Sequence, residues 1–236
     1  MAKIEQVTAL KGGSRAWSRW RAENPQIRPD FKWADLSGMD IEGANLQGAN
    51  LMGAVLRGTM LHGVDLGRAK LVGADLWGAK LVGAVLSEAK FAGAVLDEAD
   101  LREARLVRAE MKGLDLKSLP MAGADLSEAI LTQADLTGSD LRGSRMRRAD
   151  LRMAKLVKSD LSGADLTEAK LIRSKLGGAN LRGADLTHAD LSGADLEGAD
   201  LSEANLTGAD ISRANMRFTN LEGAVLDGVK RTEIGF

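Results

Sequence analysis

An apolar residue stands at every fifth position from Leu36 to Leu226 without one shift of register. Of these 39 centres 32 are Leu, and the others are Ile41, Phe91, Met111, Met121, Met146, Ile211 and Met216. Ala occupies the place two before the centre in 29 of 39 repeats. A period of five fits neither the 3.6 of a helix nor the 2 of a strand, so it signals a repeat architecture held by stacking of like units. Centres and the small residues two before them are expected to point inward and the other three positions outward. Gly stands two after the centre in 22 of 39 repeats. That is the third place of a side-to-side turn, where a type II turn needs positive φ and Gly supplies it without steric cost. These glycines are therefore turn chemistry and not a phosphate-binding loop.

The A(D/N)LxG-like unit, seen in Ala44-Asn45-Leu46, Ala164-Asp165-Leu166 and Ala184-Asp185-Leu186, runs over residues 34–228. It resembles the pentapeptide-repeat family. That resemblance implies an all-β, right-handed quadrilateral β-helix in which each repeat makes one side and four make a coil. About ten coils would then stack at about 4.8 Å into a rod of roughly 45–50 Å. Its axis is filled by Leu and Ala, leaving no room for a substrate. Residues 20 apart become stacked neighbours, and Arg68, Glu88, Arg108, Glu128, Arg148 and Glu168 then predict an alternating charge ladder on one corner. Gly is missing from that corner over this stretch, so turns other than type II are expected there.

Three segments follow. Residues 1–33 read as a helical cap over the open first coil, 34–228 as the β-helix and 229–236 as a tail. In the cap, Ile4, Val7 and Leu10 predict one helix ended by Gly12-Gly13. Ser14 is placed to start a second, through Glu23, with Trp17 and Trp20 on one face. These apolar residues and Trp33 are expected to pack on the first coil. At the other end Phe218, Val229, Ile234 and Phe236 form a candidate homodimer contact, the alternative being a tail folded over its own last coil. Leu114 and Leu119 overfill the small inward position, and Pro120 lacks an amide donor, so a bulge or bend is expected near 111–121.

Composition narrows the function more than it identifies it. No Cys is present, which excludes disulfides and thiolate chemistry. The N-terminus has no apolar signal-peptide core and no run approaches the length of a membrane span, so a cytoplasmic protein without membrane contact is expected. His62 and His188 lie about six coils apart and cannot share a metal or a triad. Stacked pairs such as Asp140/Asp160, Asp165/Asp185 and Asp190/Asp210 read as carboxylates bonded to local backbone rather than a cation site. No cofactor, metal or catalytic residue is expected.

Two surface features remain. Trp77 is the only Trp within the repeats, and with Val55, Val82 and Val95 it forms the candidate partner-binding set. The net charge of −1 conceals a basic belt, residues 142–175, with ten basic and four acidic side chains between acidic stretches. Arg145, Arg147, Arg148 and Arg152 are its candidate patch. Without interleaved aromatics, direct nucleic-acid binding is disfavoured against an ordinary charged face. The expected function is a non-catalytic scaffold presenting flat faces to a protein partner. The resemblance also implies an alternative, a DNA-mimicking protector or inhibitor of a type II topoisomerase such as gyrase. The basic belt and the lack of inserted loops depart from that pattern.

Overall fold

The structure, a computed structural model, describes residues 4–232. From Asp30 onward every bridge among these residues joins positions 20 apart in parallel, so four repeats close one coil. The rod therefore has four walls, each marked by the residue just before the centre. The first wall carries Asp30, Asn50, Lys70 and their successors every twenty residues; the second begins at Asp35, the third at Asp40 and the fourth at Asn45. Each wall offers a single bridging residue per coil, so no conventional strand forms. Inward Leu and Ala are fully buried through most of the rod.

One repeat shows why the unit has this composition. In Ala164–Glu168, Ala164 N donates to Leu161 O across the turn (3.0 Å) and Asp165 N to Ser144 O in the preceding coil (2.9 Å). Leu166 N and Glu168 N donate to Asp185 O (2.7 Å) and Thr187 O (2.9 Å) in the following coil. The fifth amide, on Thr167, has no backbone acceptor and donates instead to Asp165 Oδ1 at 3.0 Å. Backbone donors near a core need partners, and the Asp/Asn side chain supplies the missing one as an Asx turn. The stacked carboxylates Asp140, Asp160, Asp165, Asp185, Asp190 and Asp210 all do this.

The turns correct one expectation. All 39 positions two after a centre, Gly or not, have φ between 54° and 69°. Arg68, Glu88, Arg108, Glu128, Arg148 and Glu168 thus keep the left-handed geometry expected only of Gly, because the neighbouring coils impose it through two ladder bonds per turn. Each left-handed non-Gly residue costs roughly 1–2 kcal/mol. Their stems also lie against the next coil. Lys158, Arg173 and Glu203, for example, lie against Gly178, Gly193 and Gly223. The charge ladder forms as three separate pairs rather than a continuous run: Arg68–Glu88 at 3.0 Å, Arg108–Glu128 at 2.8 Å and Arg148–Glu168 at 2.8 Å. Each Arg reaches toward the following coil, so the Glu-to-Arg steps between pairs are left unbonded.

At the N-terminal end, α1 (Ile4–Lys11) and α2 (Gly13–Glu23) cover the first coil. Trp17 is fully buried, 5.0 Å from Trp20 and 5.4 Å from Phe31 by ring centroids. Two edge groups without a preceding coil are satisfied by the cap. Trp17 Nε1 donates to Asn45 O at 2.6 Å, and Asp30 N donates to Gln6 Oε1 at 2.7 Å. Three details of the expected cap differ. Gly12, not a serine side chain, precedes α2, Ile4 faces solvent, and Trp33 stays outside the cap.

The irregularity near 111–121 takes the form of a break in the ladder. Bridges between Val95 and Asp115 and between Asp100 and Pro120 are missing, although Leu101 N still reaches Pro120 O at 2.9 Å. Pro120 has no N–H to give, and buried Leu114 and Leu119 fill inward places that Ala takes in most repeats. Near the C-terminal end the inward residues Ile211, Met216 and Leu221 are partly uncovered and Leu226 is exposed.

Candidate partner-binding wall

The second wall and its edges carry Trp33, Trp77 and Val95 among the exposed large apolar residues. Val55, Asp75 and Val95 stack along it. Trp77 stands at the edge toward the third wall, 42 % exposed, and Val95 is 41 % exposed. The opposite edge carries Trp33, Met52 and Val72, the residues just before the wall in successive coils. Trp33 is 66 % exposed and lies flat over Gly53, where a Cβ would fall 1.8 Å from its ring. Two tryptophans therefore bracket one flat face, with Asp75 at its centre tied to Arg57 at 2.6 Å and capping the Trp77 amide at 3.2 Å.

Of the sequence-predicted set, Trp77, Val55 and Val95 share this wall. Val82 does not. It sits at the edge between the third and fourth walls, one full side away. Trp33 and Met52 stand at an edge of the same wall, although linear position alone places Trp33 with the cap and gives no reason to single out Met52. The signal that finds them is the 20-residue register applied to turn positions as well as to wall positions.

The basic patch is also rearranged. Arg147 bonds Asp165 at 3.4 Å, Arg148 bonds Glu168 at 2.8 Å and Arg152 bonds Asp150 at 2.5 Å. Arg145 stands on the fourth wall between Asp125 and Asp165. Arg147 and Arg148 share the corner between the fourth and first walls and Arg152 lies at the next, and all three are paired with carboxylates. On the second wall, by contrast, Lys155 and Lys175 are stacked neighbours, with Lys158 and Arg173 at its two edges, all exposed. Lys155 reaches Asp135 at 2.9 Å, whereas Lys158, Arg173 and Lys175 have no ion-pair partner among the described residues.

Asp135 borders this cluster. Burial pushes its carboxyl up, but hydrogen bonds from the Thr137 hydroxyl and amide and from Lys155 outweigh that and hold it at about 2. A carboxyl depressed from about 3.8 stabilises the fold above that value, and the contribution is lost as pH falls from about 4 through about 2. We expect carboxyl-detected NMR to place the Asp135 midpoint near 2 and Lys155→Ala to raise it; a midpoint near 4 in the unmodified chain would contradict the pairing.

Nothing at the other candidate positions assembles chemistry. His62 and His188 occupy different corners, His62 beside Glu42 at 3.8 Å and His188 over Gly208. Among the described residues no group of three or more His, Asp or Glu could hold a metal ion. No helix among them is long and apolar enough to cross a membrane. The open depressions are shallow surface clefts. One, lined by Arg152, Glu168, Lys170, Ile172, His188 and Asp190, mixes both charge signs along the first wall.

A four-walled stack with a five-residue beat defines the class as a right-handed β-helical solenoid. The family described as pentapeptide repeats matches in eight copies, over segments that together span residues 30–118 and 121–228. The chain belongs to the pentapeptide-repeat family. The gap between the two matched spans, at Leu119 and Pro120, falls at the ladder break. No curated protein matches the chain. Among solved structures it is similar to HetL, a pentapeptide repeat protein involved in heterocyst differentiation regulation in the cyanobacterium Nostoc sp. strain PCC 7120. Identity is 35 % over 90 % of this chain and 92 % of that one, with a TM-score of 0.33. QnrB1, a plasmid-mediated fluoroquinolone resistance protein, is 21 % identical over 84 % and 90 % of the two chains, with a TM-score of 0.40. Rfr23 from the cyanobacterium Cyanothece 51142 is 28 % identical over 55 % and 88 %, with a TM-score of 0.19.

Proposed function

We propose that this chain is a non-catalytic protein-binding rod whose second wall meets a macromolecular partner. The observation that carries the reading is the flat face formed by Val55, Val95 and Met52 between Trp33 and Trp77. Exposed aromatics on a rigid, shallow surface are the usual anchors of protein contacts, and an axis packed with Leu and Ala leaves only the exterior for function. Trp77→Ala should weaken binding of the native partner at least tenfold while leaving the circular dichroism unchanged. Val82→Ala, one side away, should change it by less than twofold. Equal losses from both variants would remove the wall assignment.

A second contact belongs to the same reading. Phe218 is 82 % exposed, and Val225 and Leu226 are uncovered beside the partly buried Val229. This end is the candidate homodimer contact; Ile234 and Phe236, assigned to it with them, lie outside the described residues. Light scattering should report twice 25.0 kDa and Phe218→Asp should halve it, while a monomeric unmodified chain would remove this contact. The topoisomerase alternative asks for a rod acidic along its length. The unpaired Lys158, Arg173 and Lys175 weigh against it, and neither inhibition nor quinolone protection of gyrase is expected at micromolar protein.

A further inference from the structure

The second wall changes character along its length. Its outward residues run Asp35, Val55, Asp75, Val95, Asp115, Asp135, Lys155, Lys175, Asp195, Asn215. The first half holds the apolar face between two tryptophans. The second half holds Lys155 and Lys175, with Lys158 and Arg173 closing the edges. The stems of those two edge cations rest on Gly178 and Gly193, which fixes their starting direction along the rod. In the middle, Asp115 and Asp135 are spanned by Lys117, at 2.7 and 3.7 Å, and Asp135 is also held by Lys155 at 2.9 Å, so Lys158, Arg173 and Lys175 carry the uncompensated charge of the second half.

We infer that the second wall is a two-part docking surface for an acidic protein segment: the apolar half takes a hydrophobic anchor and the Lys155/Lys158/Arg173/Lys175 half takes a block of carboxylates. The inference rests on the reading that this wall binds a protein. Val95 and Lys155 are three coils apart, about 14 Å at the stacking distance of parallel chains. An extended partner spans that in about four residues and a helical one in about ten.

Charge and geometry select the occupant. Asp135 and Asp195 bound the cationic half at three coils' separation, about 14 Å. A nucleic-acid backbone, with one charge per roughly 1.7 Å of duplex axis, would run beyond it onto carboxylates in both directions. A second copy of this chain does not complement it either. Two walls aligned parallel set lysines against lysines, and two aligned antiparallel over their full length set Lys155 against Val95, Val55 against Asp195 and Asp115 against Asp135, with Lys175 against Asp75 the one opposite-charge match.

Fluorescence anisotropy with synthetic probes tests this. One labelled peptide carries a Trp-Leu-Leu block, a four-residue Gly/Ser spacer and five Glu; two others carry either block alone; a single-stranded 12-mer of DNA is the fourth probe. The two-block peptide should bind at least tenfold more tightly than either single block, and more tightly than the DNA. Lys158→Glu/Arg173→Glu/Lys175→Glu should abolish that advantage yet leave binding of the Trp-Leu-Leu peptide unchanged, and raised salt should imitate the triple variant. Undiminished binding of the two-block peptide to the triple variant, or no binding by any peptide, overturns the inference. Tighter DNA binding overturns the choice of an acidic protein segment. If Trp77→Ala leaves the Trp-Leu-Leu peptide unaffected while charge reversal still acts on the Glu block, the apolar reading of the wall fails separately.

Discussion

Trp17→Ala should cost about 3–5 kcal/mol, the usual range for emptying a buried Trp site. The side chain is fully buried, stacks on Trp20 and Phe31, and closes the Asn45 carbonyl on the leading edge of the rod. The damage should be directional, because each coil touches only its neighbours. Hydrogen exchange should accelerate first in residues 30–49, then in the next coil, with coils beyond residue 130 unchanged. Trp17→Phe keeps most of the packing and loses the Nε1 bond, so about 1 kcal/mol is expected. Uniform acceleration along the whole chain would show that the cap acts on folding of the entire rod rather than on its first coil.

Leu136→Ala should cost about 2–5 kcal/mol, because a fully buried centre at mid-rod has coils above and below that hold the cavity open. Leu221→Ala in the partly uncovered last coil should cost distinctly less, since that site is already wet and can collapse. Denaturant melts of the two variants give the comparison, and equal losses would contradict the stacking account. In a stack the mid-rod cavity should also reduce cooperativity, broadening the transition as the two halves unfold more independently.

The five-residue beat made the architecture legible because inward and outward positions repeat without exception. The 20-residue register came from the family resemblance, which implies four repeats per coil, and the paired Arg68–Glu88, Arg108–Glu128 and Arg148–Glu168 could be read from it. The turns were less legible. Propensity ties positive φ to Gly, but two ladder bonds per turn hold Arg108 or Glu128 in the same geometry, a case of neighbours overriding local preference. The Asp/Asn position is legible as a bond to local backbone, but which amide it serves, the one the stack leaves unpaired, shows only in the structure. For the candidate site, counting charges along residues 142–175 pointed to Arg145, Arg147, Arg148 and Arg152. Arg147, Arg148 and Arg152 meet carboxylates at two corners and Arg145 stands on the fourth wall, while Lys158, Arg173 and Lys175 border or stand on the second wall. Linear proximity groups residues that the register of twenty places on different walls.

The location of function on one wall can be measured in a single footprint. With the native partner bound, lysine acetylation and side-chain oxidation should fall at Trp33, Met52, Trp77, Lys155, Lys158 and Lys175. Lys70 and Lys90 of the first wall, and Lys80 and Met60 of the third, should react as in the free chain. Protection of Lys80 and Met60, or of the first-wall lysines, with Trp33 and Trp77 left reactive, would contradict the account.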